Sequence, residues 1–235
     1  MDIRNQTLLI TGANRGLGLA FAREALARGA RRVYAAARDP ASVKLPGVVP
    51  LRLDVTQPDE AAAAAREAPD VTLLVNNAGI AMPGSLLRAE AVAEARAMLD
   101  TNFLGPLQVS QAFAPVLAAN GGGAILNVLS VASWISGPLL PLYAASKSAA
   151  WSLTNGLRIA LAAQRTRVVA LHAGFIDTDL TRGLDAPKST PEAIVRAAYD
   201  GLAAGQLEIL ADDITRQVRA GLGATPPVYL PPSSA

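Results

Sequence analysis

Short apolar runs alternate with longer stretches of helical periodicity from one end of the chain to the other. Strands are predicted at residues 7–11, 32–37, 49–53, 71–75, 124–129, 167–171 and 207–211, each a compact run rich in Val, Leu, Ile or Ala. Between them, helices are predicted at 16–28, where Leu17, Ala20, Phe21, Ala25 and Leu26 form one apolar side, and at 61–67, 142–163, 191–204 and 212–222. A longer helical region, 89–120, contains Gly105-Pro106, which should bend it rather than end it. Strands separated by helices need crossover connections and so pair in parallel, with helices covering both faces. The expected architecture is a single α/β domain spanning 1–235, built on a doubly wound parallel sheet of about seven strands. In such sheets ligands bind at the carboxyl ends of the strands, where the strand order reverses. The Pro-rich tail, 224–235, with Pro226, Pro227, Pro231 and Pro232, cannot continue regular structure and is expected to be mobile or packed over the surface.

Composition narrows the function classes. Hydrophobic residues make up 51% of the chain and the mean hydropathy is +0.29, yet no apolar run approaches the roughly 18 residues of a membrane span. The excess is mostly Ala, Leu and Val, as buried parallel strands require, and leaves room for a homodimer or homotetramer interface. Lys and Arg number 21 against 19 acidic residues, so a nucleic-acid surface is not expected. The chain has no cysteine and one histidine, which argues against disulfides and cysteine-based metal sites; no metal is expected. The first strand follows the start almost directly, without a charged-then-apolar leader, and the expected location is cytoplasmic.

The candidate chemistry centres on Tyr143-Ala144-Ala145-Ser146-Lys147, with Ser130 thirteen residues earlier. Residues four apart share a helix face, so Tyr143 and Lys147 can present a phenol and an ammonium to one point. A nearby cation lowers a phenol's pKa and makes it usable as both acid and base. Taken alone, such a pair also occurs by chance on amphipathic helices.

Directly after the first strand stands Gly12-Ala13-Asn14-Arg15-Gly16-Leu17-Gly18. Glycines at a strand-to-helix turn permit close backbone approach, and the free amides of the helix start attract phosphate oxygens. At the end of the second strand, where a ribose-binding acid would select NAD, the chain has Ala37 and Arg38. Arg38 and Arg15 together suit a 2′-phosphate, and Asp39, before Pro40, fits a turn better than a ribose contact.

In these motifs the chain resembles the short-chain dehydrogenase/reductase family, over about residues 7–211. The glycine loop, Asn76-Asn77-Ala78-Gly79, Thr101-Asn102-Phe103, Ser130, Tyr143 and Lys147 follow in the family's order and spacing. The resemblance implies a Rossmann-type fold and an NADP(H)-dependent enzyme acting on a small carbonyl or alcohol. Ser130, Tyr143, Lys147 and Asn102 would be catalytic, with Asn102 holding a water that links Lys147 to solvent. Gly12, Asn14, Arg15, Gly16, Leu17, Gly18 and Arg38 would bind the phosphates, and Asp54 and Val55 would meet the adenine. Asn76, Ala78 and Gly79 would approach the ribose, while Gly174, Ile176 and Thr178 would hold the carboxamide. Trp134, Leu139, Leu140 and Phe175 are candidates for the substrate wall, although Trp134 and Phe175 serve equally well as packing. Ser133 is an alternative hydroxyl, Asn76 and Asn77 could brace the sheet, and His172 reads as a hydrogen-bonded strand end.

The working direction stays open between carbonyl reduction and alcohol oxidation, and a non-catalytic dinucleotide-binding regulator is a third possibility. Three departures from the family pattern stand out. Ala173-Gly174 replaces the usual Pro-Gly and should loosen a turn near the nicotinamide. Residues 181–190 leave only a short lid, implying an open pocket. Asp212-Asp213-Ile214 replaces a glycine-rich end and puts the common tetramer in doubt.

Overall fold

A computed structural model describes residues 1–230. The seven strands are β1 (Thr7–Thr11), β2 (Arg32–Ala37), β3 (Val49–Arg52), β4 (Leu73–Asn76), β5 (Gly123–Val128), β6 (Thr166–His172) and β7 (Glu208–Leu210). They pair in parallel throughout, in the order β3-β2-β1-β4-β5-β6-β7. The chain runs outward to β3, then returns to place β4 against the other side of β1. The resulting crevice lies between the ends of β1 and β4. This is the Rossmann-type doubly wound sheet expected from the alternating pattern.

The helices are α1 (Gly16–Ala27), α2 (Pro58–Glu67), α3 (Ala91–Leu99), α4 (Gly105–Ala119), α5 (Pro141–Ala160), α6 (Pro191–Ala203) and α7 (Asp213–Gly221). One core packs Phe21, Ala25, Ile194 and Tyr199 of α1 and α6 against one sheet face. The other packs Val109, Phe113, Leu117 and Leu157 of α4 and α5 against the opposite face. Strands buried on both sides are why β1 is apolar without alternation.

Helix α2 begins three residues before the expected Ala61, because Pro58, Asp59 and Glu60 suit a first turn. The helical region 89–120 is not ended at Gly105-Pro106: α3 and α4 are joined without interruption by a π-helical turn, Asp100–Leu104, and Pro106 sits harmlessly in the first turn of α4. Of the tail, Val228 returns to the end of α7 through its amide to the Gly221 carbonyl, at 3.0 Å. Pro231 and Pro232 lie outside the described residues.

Candidate active site

The glycine loop is shaped for close approach. Gly12 and Gly16 have φ of +66° and +52°, and a Cβ on Gly18 would stand 2.2 Å from the Gly12 carbonyl oxygen. Leu17 is buried beneath the loop. Arg15 at the N-cap of α1 makes no side-chain cap, so the amides of the first turn are left for an exogenous acceptor. Uncapped amides at the start of α1, in a loop packed too tightly for a Cβ at Gly18, fit a dinucleotide pyrophosphate.

Thr11 laces this loop to the end of β4. Its Oγ1 accepts from the Asn77 and Ala78 amides at 2.9 and 3.0 Å, and Asn77 Nδ2 donates to the Thr11 carbonyl at 2.8 Å. Asn77 is therefore a brace, as its neighbour proves to be. Asn76, expected near a ribose, is 4% exposed and donates to Ser110 Oγ and Asn127 Oδ1 inside the sheet. Only its backbone can face the crevice.

The two arginines do not converge in the chain alone. Arg15 Nη1 pairs with Asp179 Oδ2 at 3.2 Å, and Asp179 also pairs with Arg182, so the glycine loop is tied to the segment after β6. Arg38 is exposed and has no ion-pair partner among the described residues. Asp39 caps the short 3-10 turn Pro40–Ser42, accepting from the Ala41 amide at 3.0 Å. A cavity of about 170 Å³ opens beside this turn, lined by Asn14, Arg23, Ser42 and Lys44 among others. Past β3, Asp54 closes its own turn by accepting from the Thr56 amide and hydroxyl, while Val55 is buried.

The π-helical turn aims Asn102 inward, where it is 1% exposed. Its Oδ1 accepts from the Ile80 amide at 2.9 Å, and its Nδ2 donates to the Ile80 carbonyl and Ser146 Oγ. Both amide hydrogens are committed. The side chain thus anchors the turn after Gly79. A Cβ on Gly79 would stand 3.2 Å from Asn102 Oδ1 and 3.8 Å from Lys147 Nζ, so three separate motifs meet here.

Helix α5 carries Tyr143 and Lys147 into the same crevice. The Lys147 Nζ lies 5.7 Å from the Tyr143 ring centroid and donates to the Val128 carbonyl at 2.9 Å. Burial lowers the Lys147 ammonium to about 8. Burial also pushes the Tyr143 phenol up to about 12, opposed by its hydrogen bond with Ser130. The expected acidification by Lys147 is therefore absent in the chain alone: the ammonium is turned toward Val128, and desolvation outweighs it. Ser130 Oγ accepts from the Ala132 amide at 3.1 Å, which leaves its own proton for a second acceptor. Ser133 is drawn away, its Oγ facing the Ser130 amide in a capping box.

Beyond Ser130 the wall divides into packing and open surface. Trp134 stacks on the ring of His172 at 3.9 Å and meets Trp151 edge-on, so it serves as packing. Leu139 and Phe175 are exposed, 43% and 38%, and Leu140 is half-buried. Gly174 is not loosened by the preceding alanine. Its amide donates to Asp212 Oδ2 at 2.7 Å, while Asp212 Oδ1 caps α7 through the Thr215 amide. In the sequence Asp212 stands as a helix start and within the segment that replaces a glycine-rich end, with nothing to pair it with Gly174. The lid is equally tethered: Ile176 bridges Ser189, and Thr178 begins a 3-10 turn, Asp179–Thr181, with its Cγ2 3.5 Å from a Cβ built on Gly16. Ser146, three residues past Tyr143, is a further contributor; its hydroxyl ties Asn102 to the Tyr143 carbonyl.

The same set of features recurs in known proteins. Residues 6–189 match the family described as short chain dehydrogenase. Among curated relatives, galactitol 2-dehydrogenase (L-tagatose-forming) of Cereibacter sphaeroides is 37% identical over 183 residues, 73% of this chain and 72% of the relative. The 11-beta-hydroxysteroid dehydrogenase 1A of Arabidopsis thaliana is 31% identical over 199 residues, and the match spans 77% of this chain but only about half, 55%, of that relative. A short-chain dehydrogenase of Burkholderia cenocepacia J2315, solved in complex with NADP, superimposes with a TM-score of 0.91 at 38% identity, covering 95% of each chain. Sequence, sheet order and site geometry agree: the chain belongs to the short-chain dehydrogenase/reductase family.

Proposed function

We propose that this chain is an NADPH-dependent carbonyl reductase. The observation that carries the reading is the meeting of Ser130, Tyr143 and Lys147 at the carboxyl ends of the central strands, beside the uncapped glycine loop. When bound, the dinucleotide supplies the hydride that a substrate carbonyl carbon receives. The residues of the chain manage the oxygen. Ser130 Oγ, its lone pair engaged by the Ala132 amide, donates a hydrogen bond to the carbonyl oxygen. Tyr143 stays protonated at neutral pH and delivers its proton to that oxygen as charge develops there. Lys147 holds ribose hydroxyls, and Asn102 keeps the turn after Gly79 rigid beside it.

Three observations favour the phosphorylated cofactor. Arg38 has no ion-pair partner among the described residues, Asp39 is occupied by its own turn, and the adjacent cavity is lined by Arg23 and Lys44. The Burkholderia cenocepacia neighbour holds NADP. The exposed Leu139 and Phe175 supply an apolar wall suited to ketones or aldehydes. The Cereibacter relative, named for a polyol, favours a second reading in which the same residues oxidise a secondary alcohol. The intact Ser130, Tyr143 and Lys147 set weighs against a non-catalytic regulator.

Purified protein with an aromatic ketone should consume NADPH at least 10-fold faster than NADH, and Tyr143→Phe should lose nearly all turnover. Undiminished turnover in that variant would sink the catalytic reading. Equal dissociation constants for the two cofactors would sink the NADPH preference.

A further inference from the structure

The chain's single histidine lies behind the catalytic serine. His172, the last residue of β6, is fully buried, and its Nδ1 is 3.1 Å from the carbonyl oxygen of Ser130. That oxygen also accepts from the Ser133 amide at 2.9 Å, so both of its lone pairs are engaged. A carbonyl can only accept, so the contact requires the proton on Nδ1 and leaves Nε2 bare. Among the described residues Nε2 has no hydrogen-bond partner, and it faces Glu208 Oε1 at 3.7 Å. Arg219 Nε holds the other oxygen of Glu208 at 3.0 Å and thereby neutralises a carboxylate that would otherwise draw the imidazole proton to Nε2. Trp134 covers the ring face, with planes 21° apart, and the Arg219 guanidinium lies 5.8 Å from the indole. Glu208 belongs to β7 and Arg219 to α7. The sheet edge and the last helix are thus joined through one imidazole to the serine backbone.

The arrangement has the composition of a Ser-His-Glu nucleophile triad but not its geometry. The imidazole addresses the serine carbonyl, while Ser130 Oγ accepts from the Ala132 amide, so no base stands ready to take the hydroxyl proton. What the ring can do is fix the peptide that follows Ser130. The direction of the hydroxyl depends on that peptide, because the Ala132 amide grips Oγ from the same turn.

We infer that His172 is a positioning residue for the reaction: in its Nδ1–H form, clamped by Trp134 and the Glu208–Arg219 pair, it locks the Ser130 turn so that the hydroxyl meets the substrate oxygen beside Tyr143. This rests on the catalytic reading of Ser130. The wild-type chain tests the tautomer directly, since one histidine gives one set of imidazole signals in a ¹⁵N-resolved spectrum. The expected pattern is a protonated Nδ1 and a bare Nε2 at pH 7; an Nε2–H pattern overturns the inference without reference to activity.

The kinetic arm uses His172→Leu and His172→Asn, with folding checked by circular dichroism and NADPH affinity by titration. His172→Leu should lower kcat about 10-fold or more, with KM and the NADPH dissociation constant within about 2-fold. His172→Asn, whose amide can restore a donor near Nδ1, should recover kcat to within about 3-fold of wild type. Tryptophan emission tracks the clamp, because Trp134 lies in it and Trp151, the chain's other tryptophan, meets Trp134 edge-on. A wild type without turnover removes the catalytic reading and this inference with it. An active wild type matched in kcat by His172→Leu removes the inference alone, as does a His172→Asn variant no better than His172→Leu.

Discussion

Replacing Lys147 by Met should make the cofactor-free protein more stable while disabling it. Burial lowers the Lys147 ammonium from 10.5 to about 8, and the side chain is 5% exposed. At about 1.4 kcal/mol for each tenfold change in proton affinity, keeping that charge inside costs the fold about 3 kcal/mol at neutral pH. Methionine fills similar space without a charge. It forfeits the hydrogen bond to the Val128 carbonyl, about 1–2 kcal/mol when that acceptor is left unpaired. The net gain is about 1–2 kcal/mol, or about 2–8 °C in Tm for a chain of this size. Proton linkage supplies a second signature. Between pH 8 and 10.5 the unfolded chain binds a proton that the folded chain releases, so wild-type stability rises with pH relative to the variant across that window. Urea denaturation without cofactor, at pH 7.5 and again near pH 10.5, should show the variant ahead at the first and its advantage gone at the second. A variant less stable than wild type at pH 7.5, or an advantage that does not change with pH, refutes the reasoning.

Gly18→Ala should weaken dinucleotide binding at least 10-fold and cost about 1–3 kcal/mol, because its Cβ would meet the Gly12 carbonyl at 2.2 Å; titration and thermal unfolding check both. Asn102→Ala removes two hydrogen bonds to Ile80 in the turn after Gly79 and one to Ser146 on α5, and should destabilise the chain by about 2–4 kcal/mol, read by urea denaturation, with kcat falling more than KM. His172 is buried neutral with its pKa lowered to about 4, so the unfolded chain binds its proton first as pH falls. Stability should therefore decline between pH 6.5 and 4, by up to about 3 kcal/mol, and His172→Asn should flatten that part of the profile.

The strands could be located from sequence because a parallel strand buried on both faces is a continuous apolar run, as Leu8-Leu9-Ile10 shows. The π-helical turn at Asp100–Leu104 could not, since it is a backbone state without a distinct composition. Ser130, Tyr143 and Lys147 were legible through their spacing, which a helix and a strand-end turn convert directly into proximity. The phenol's high pKa was not, because it depends on the water excluded around Tyr143 and on where the Lys147 amine turns. Partners distant in sequence were equally hidden. Arg15 and Asp179 stand 164 residues apart, and nothing local to either residue announces the pair. Bracing was among the readings open for Asn76, but its partners Ser110 and Asn127, on other elements, fall in the same hidden class.

The wholly parallel ladder also governs how the molecule is made. No neighbouring strands can zip together as a hairpin, and the central β1–β4 pairing sets Leu8 beside Leu73, so a long loop must close before that pairing is gained. Such a topology belongs to the slow end of folding rates. The glycine loop draws its shape from Asn77, which arrives only with β4, and Ser130 and Tyr143 come later still along the chain. A nascent chain is therefore blind to dinucleotide until its middle is docked, and the ligand acts as a lock on the finished protein and not as a template for building it.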